Sequence, residues 1–167
     1  MAGARIYFND AEVMAKLGRL SALDLRKVLT NIGSYMQSVT KRRFKESTDP
    51  EGRPWLPLSQ ATLSQRAGGK KAYKKGGGLT KRAQGIFSNS RPLVDRGHLR
   101  DSITYRVTGD GVEIGTNMVY GAIHQFGGMA GWGRKVKIPA RPFLGVSPEN
   151  RAEILRIIND HVEEVLR

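Results

Sequence analysis

The sequence predicts an α+β fold: a small antiparallel sheet with a long N-terminal helix and a C-terminal helix packed on it, plus a long basic loop or arm. Three observations carry this expectation. Leu25, Val28, Leu29, Ile32, Tyr35, Met36 and Val39 recur at the spacing of one helix face. A second stripe, Ile154, Ile157, Ile158, His161, Val162 and Val165, runs to the end of the chain. Between them, Ile103, Tyr105 and Val107, then Val112 and Ile114, alternate with polar residues on either side of Gly109-Asp110-Gly111, which is the pattern of a β-hairpin.

Taken in order, "ARIYF" (4–8) alternates as a short first strand. Asn9 or Asp10 then caps a short helix, with Glu12 three residues after Asn9 as in a capping box. Ser21, with Asp24 three residues on, marks the start of the long helix, which is expected to run to about Phe44. Lys41, Arg42, Arg43 and Lys45 sit near its C-terminus, where cations suit the helix dipole. Asp49-Pro50-Glu51-Gly52 reads as a turn, Pro54 and Pro57 keep the chain extended around Trp55, and Ser59 can cap a short helix through Leu63. "MVYGAIHQF" reads as one or two helical turns, Val136 and Ile138 as another short strand, and Ser147-Pro148 as the start of the last helix.

Charge is concentrated in one place. The chain carries 28 Lys+Arg against 15 Asp+Glu, a net +13. Arg66, Lys70, Lys71, Lys74, Lys75, Lys81, Arg82 and Arg91 supply eight of those charges in a stretch with six glycines and no acidic residue. Isolated apolar residues and no periodicity predict a flexible basic arm at about 66–92 inside one domain, 1–167, ordered by its neighbours. Such a run is usually solvated; the sharper reading is contact with nucleic acid or an acidic protein.

Several chemistries find no support in the sequence. With no cysteine there is no disulfide or thiolate metal site. No apolar run approaches a membrane span, and the N-terminal "MAGARIYFNDAEVM" lacks the apolar core of a signal peptide. Histidines at 98, 124 and 161 lack ligand spacing, so no metal and no cofactor are expected. Asp95, His98 and Ser102 hold the residue types of a hydrolytic triad, but three polar residues on one short segment read better as a polar turn. "GGKKAYKKGGG" has no preceding strand and no closing Gly-Lys-Ser/Thr, so it is not a phosphate-binding loop.

The stretch "YGAIHQFGGMAGWGRKVKIPARPFLGV" (120–146) holds four aromatics, six glycines, two prolines and no acidic residue. That composition is suited to contact. A short helix puts Tyr120, Ile123 and Phe126 on one side, facing the hairpin, and leaves His124 and Gln125 to hydrogen-bond backbone or a neighbour. Met129 to Arg134 is expected to be an exposed loop with Trp132 near its tip, and "IPARPFL" an extended path with Arg141 forking to carbonyls or a carboxylate and Phe143 as its anchor.

Four stretches in order, "FKESTDPEGRPWLPLSQATL", "LVDRGHLRDSITY", "VEIGTNMVYGAIHQFGG" and "IPARPFLGVS", resemble the phage virion morphogenesis family, which includes Mu-like G proteins and phage tail completion proteins. The residues in those motifs are Pro50, Gly52 and Trp55; Gly97 and Leu99; Gly115; Tyr120, His124, Gln125, Phe126 and Gly127; and Pro139, Arg141, Pro142, Phe143 and Leu144. The resemblance implies a non-enzymatic structural protein that completes the tail or joins tail to head as a ring in the neck, in the virion and, during assembly, in the host cytoplasm. Its implied partners are itself, as a ring expected from tail symmetry to be a hexamer, and neighbouring neck, tail-tube or head-connector proteins, with no membrane. The interface residues expected on this reading are Trp55, Tyr120, His124, Gln125, Phe126, Trp132, Arg141, Pro142 and Phe143. The alternative is a nucleic-acid-binding accessory protein, making non-specific DNA contact through the arm by Lys70, Lys71, Lys74, Lys75, Lys81 and Arg82.

Overall fold

The computed structural model describes Gly18, residues 24–109 and residues 111–167. The expected first strand at 4–8 and the helix capped by Asn9 or Asp10 lie outside these residues. The α+β class is observed. Helix α1 spans Leu25–Glu46, and Asp24 caps it by accepting from the Lys27 N–H at 3.2 Å. Its buried residues, including Val28, Met36, Val39, Thr40, Arg43 and Phe44, repeat at three- and four-residue steps, so one face is sunk into the molecule. Helices α2 (Gln60–Arg66), α3 (Lys81–Asn89), α4 (His98–Asp101), α5 (Gly121–Phe126) and α6 (Pro148–Leu166) follow.

The strands form two separate antiparallel hairpins. In the first, β1 (Thr104–Val107) pairs with β2 (Val112–Gly115), with Tyr105 opposite Ile114. This hairpin lies on α1. A Cβ at Gly33 of the helix would run into the Tyr105 ring, so the missing side chain is what lets strand and helix close up. Gln37 ties the same seam by donating Nε2 to the Ile103 carbonyl at 2.7 Å. In the second hairpin, β3 (Gly128–Ala130) pairs with β4 (Val136–Ile138). The stretch from Met129 to Arg134 is therefore not wholly loop as expected: Met129 and Ala130 are strand, and Trp132–Arg134 is a 3-10 turn at the tip. Helix α6 starts with the capping box formed by Ser147 and Asn150 and packs along α1.

The segment expected to be irregular from 66 to 92 carries structure. A 3-10 turn at Gly69–Ala72 and helix α3 close on a small cluster of Ala67, Ala72 and Ala83, with Leu79, Ile86 and Phe87 against it. Thr80 caps α3 by accepting from the Ala83 N–H at 3.2 Å. Charges and glycines mask the signal in the sequence, because the contacts that support this helix are made mostly by alanines.

The main cluster joins Phe44, Trp55, Leu99, Ile103 and Phe143. The Phe44 ring stands 5.5 Å from Trp55, edge-on, and 5.3 Å from Phe143. Residues 139–147, which have no regular secondary structure, cross this centre as a strap. Buried backbone without a ladder needs other partners, and side chains supply them. Gln125 Oε1 accepts from the Phe143 and Leu144 N–H groups, both at 3.0 Å, and its Nε2 donates to the Leu144 carbonyl at 2.9 Å. Arg43 donates to the carbonyls of Phe143 and Gly145 at 2.9 and 3.0 Å and to Asn150 Oδ1 at 2.7 Å. Trp55 Nε1 donates to the Pro142 carbonyl at 2.8 Å.

Candidate functional site

The strap decides where the motif residues go. Arg141 is buried and forks as expected, donating Nε to the Leu56 carbonyl at 2.7 Å and Nη2 to the Pro57 carbonyl at 2.9 Å. Trp55, Arg141 and Phe143, expected at a subunit or partner interface, thus lie in the interior of the subunit, and Pro142 is half-buried beside them. The physical reason is the strap itself: a path with no strand or helix of its own is held only by side chains folded onto it. Gln125 belongs to the same group, because its amide is used on both sides by Phe143 and Leu144.

What remains outside is a set of exposed apolar side chains on α5 and the β3–β4 hairpin. Phe126 is 78% exposed and Trp132 98%. Tyr120, Met129, Val136 and the adjoining Val119 are exposed too. Tyr120 and Phe126 therefore do not both turn toward the β1–β2 hairpin as the helical spacing suggested. The helix is short and is oriented by Gln125, and it ends at Gly127, whose φ of +73° and closeness to the backbone at Ala140 leave no room for a Cβ. Val119, Met129 and Val136 were not singled out in the sequence. Their signal is weak, since single apolar residues on a surface are common.

A cleft of about 760 Å³ has a lining that includes Tyr120, His124, Arg66, Arg96, His98 and Lys137. Asp95 is the one acidic side chain among the described residues that line it. His124 sits half-buried with its ring 6.0 Å from that of Tyr120, edge-on. Its Nδ1 is buried with no hydrogen-bond partner among the described residues. Burial, and then the nearby Arg141 guanidinium, push the imidazole below its usual pKa, which favours the uncharged ring. Ser102 is not aligned with His98: its hydroxyl donates to the Leu99 carbonyl at 2.8 Å and lies 2.6 Å from Thr116 Oγ1. Among the described residues no group of three or more His, Asp or Glu side chains could hold a metal ion.

The His124 shift has a measurable consequence. A group whose folded pKa is lowered binds its proton less well in the fold than in the unfolded chain, so its contribution to stability is complete above the unfolded value, about 6.5. That contribution is lost as pH falls below it. Urea unfolding of the wild type and of His124→Gln, taken from about pH 7.5 to about pH 5.5, is expected to show the wild type losing more stability on acidification than the variant. Parallel curves would show that His124 does not titrate in this window.

Residues 9–163 match the phage virion morphogenesis family. The chain belongs to that family. It is 46% identical over 161 residues, 95% of each chain, to the Mu-like prophage FluMu G protein 2 of Haemophilus influenzae. It is 30% identical over 138 residues, 81% of this chain and 78% of the relative, to the putative capsid assembly protein G of Escherichia phage Mu. No solved structure matches. A structural or assembly role in the making of a phage virion follows from membership, and the protein is virion-associated in that sense. Among the described residues no helix is long and apolar enough to cross a membrane.

Proposed function

We propose that this virion morphogenesis protein is a non-enzymatic structural component that completes the tail or joins tail to head, acting as a closed ring of its own copies, with six expected from tail symmetry. The observation that carries the reading is the exposure of Phe126 and Trp132. A 98% exposed tryptophan at a hairpin tip, with Phe126, Val119 and Met129 also exposed, is apolar surface that gains by being covered. Aromatic residues are the typical anchors of protein interfaces. A ring needs a heterologous contact, in which this surface meets a different face of the next subunit. The neighbours above and below the ring are neck, tail-tube or head-connector proteins.

Electron microscopy of purified particles, with sizing of the free protein, tests it. The expected result is a closed ring at the tail end or head–tail junction in which the β3–β4 tip is buried against the adjacent subunit. A single copy per particle, or absence from both positions, would overturn it.

A further inference from the structure

We propose that the folded segment from Gln60 to Val94 is a non-specific docking site for the phosphate backbone of duplex DNA, engaged through Lys70, Lys71, Lys74, Lys75, Lys81 and Arg82. The first support is the density of unpaired cations: others, such as Arg26, Lys41 and Arg151, are spread along the chain, whereas here six fall between Lys70 and Arg82. Arg53 pairs with Asp49 and Glu51, Arg106 with Glu113, Arg156 with Glu153 and Asp160, and Lys27 with Glu164. Lys70, Lys71, Lys74, Lys75, Lys81 and Arg82 are all exposed, and none of these six has an ion-pair partner among the described residues, whereas Arg66 of the same segment pairs with Asp95. Like charges packed without counter-charges repel, so a polyanion that neutralises them binds with a large electrostatic gain.

The second support is the way the charges are carried. The Ala67, Ala72 and Ala83 cluster folds the segment on itself. Arg66 Nη1 donates to the Val94 carbonyl at 2.8 Å, and Arg91 Nη1 to the Lys45 carbonyl at 2.7 Å, which fastens it to α1. Between these anchors a turn closes with the Lys74 N–H donating to the Gly78 carbonyl at 3.0 Å. A Cβ at Gly76, Gly77 or Gly78 would meet nothing within 4 Å, so a bulky, flat-sided ligand can come close to the backbone there.

The residue types separate DNA from a protein partner. Protein interfaces are enriched in aromatic residues and Arg and depleted in Lys. The exposed cations of this segment are five lysines, Arg82 and Arg91, while the most exposed aromatics, Phe126 and Trp132, lie outside it. Lysine serves phosphate as a point charge without demanding a fixed geometry. Single-strand binding depends on stacked aromatic platforms, and the segment exposes only Tyr73 among its aromatics. Base-edge readout has no element to deliver it, so the contact is indifferent to sequence.

Fluorescence anisotropy of the full-length protein with a random-sequence DNA duplex decides the matter, independently of whether a ring forms. Six phosphate contacts give a slope of log K against log salt of about −5, or about a thousand-fold weakening from about 50 to about 200 mM salt. Changing Lys70, Lys71, Lys74 and Lys75 to Gln leaves two contacts, and the same salt change then weakens binding only about tenfold. A control variant loses the same charge elsewhere, at Arg26, Lys41, Lys45 and Arg151, and is expected to keep the steep slope. Thermal melts confirm that both variants fold. The proposal is overturned if the wild type binds no duplex, if both variants lose binding equally, or if polyglutamate of matched length competes as well as DNA, which would point to an acidic protein.

Discussion

Replacing Phe143 with alanine is expected to lower the stability of the subunit by about 3–5 kcal/mol. The side chain is fully buried, with its ring 5.3 Å from that of Phe44. Phe44 in turn holds Trp55 edge-on. The hydrogen bonds at this position belong to the backbone, with Gln125 accepting from the Phe143 N–H and Arg43 donating to its carbonyl, so the substitution leaves them in place. What is lost is the contact surface of the ring and the space it filled. Those polar bonds also keep the strap from collapsing into the cavity, which places the cost toward the upper part of the range. In a chain of this length the loss corresponds to a fall in Tm of about 6–20 °C. Urea unfolding should show a lower midpoint with an unchanged slope. A change below about 1 kcal/mol would mean that the strap does not depend on this anchor.

The same strap shows where reading the sequence stops. Helix α1, the first hairpin and the start of α6 are each written in local pattern: a stripe at helical spacing, alternation about a glycine turn, and Ser147-Pro148. Phe143 as an anchor and the fork of Arg141 are legible too, because prolines at 139 and 142 dictate an extended path. Arg43 is not. Within "KRRF" it looks like one more solvated cation, yet it stands one helical turn after Val39, on the buried face of α1, and donates to Phe143, Gly145 and Asn150. Only a partner 100 residues away in the chain gives that position its meaning. Strand β3 fails for a similar reason. Gly128, Met129 and Ala130 have little strand preference of their own, and their pairing with β4 creates the strand. Helix α3 could have been found from Thr80, Ala83, Ile86 and Phe87, which combine a cap with helical spacing. Lys81, Arg82 and the neighbouring glycines hid it.

Trp132→Ala is expected to leave the subunit as stable as the wild type and to abolish particle assembly. The two expectations come from one fact, the 98% exposure of the side chain. A residue that touches almost nothing in its own subunit contributes little to folding, so its loss should change stability by no more than about 0.5 kcal/mol. Its place is also well supported: the turn at Trp132–Arg134 is closed by strands β3 and β4, and the variant keeps both. In the proposed ring the same side chain is buried once per interface. A tryptophan at the centre of a contact is typically worth about 2 kcal/mol or more, which is about thirtyfold in each association step. A closed ring repeats that loss at every interface, so a modest local defect becomes an all-or-none failure of closure. Phe126→Ala, at the other strongly exposed aromatic, should act in the same direction. His124→Ala serves as the contrast: it removes a half-buried ring and leaves Trp132 in place, and a structural role predicts no lost turnover. Complementation with the three variants, scored by infectious particle yield beside thermal melts of the purified chains, separates the outcomes. Should Trp132→Ala and Phe126→Ala both assemble at wild-type yield, the ring does not close on these side chains, and the exposed tryptophan has no role in self-association.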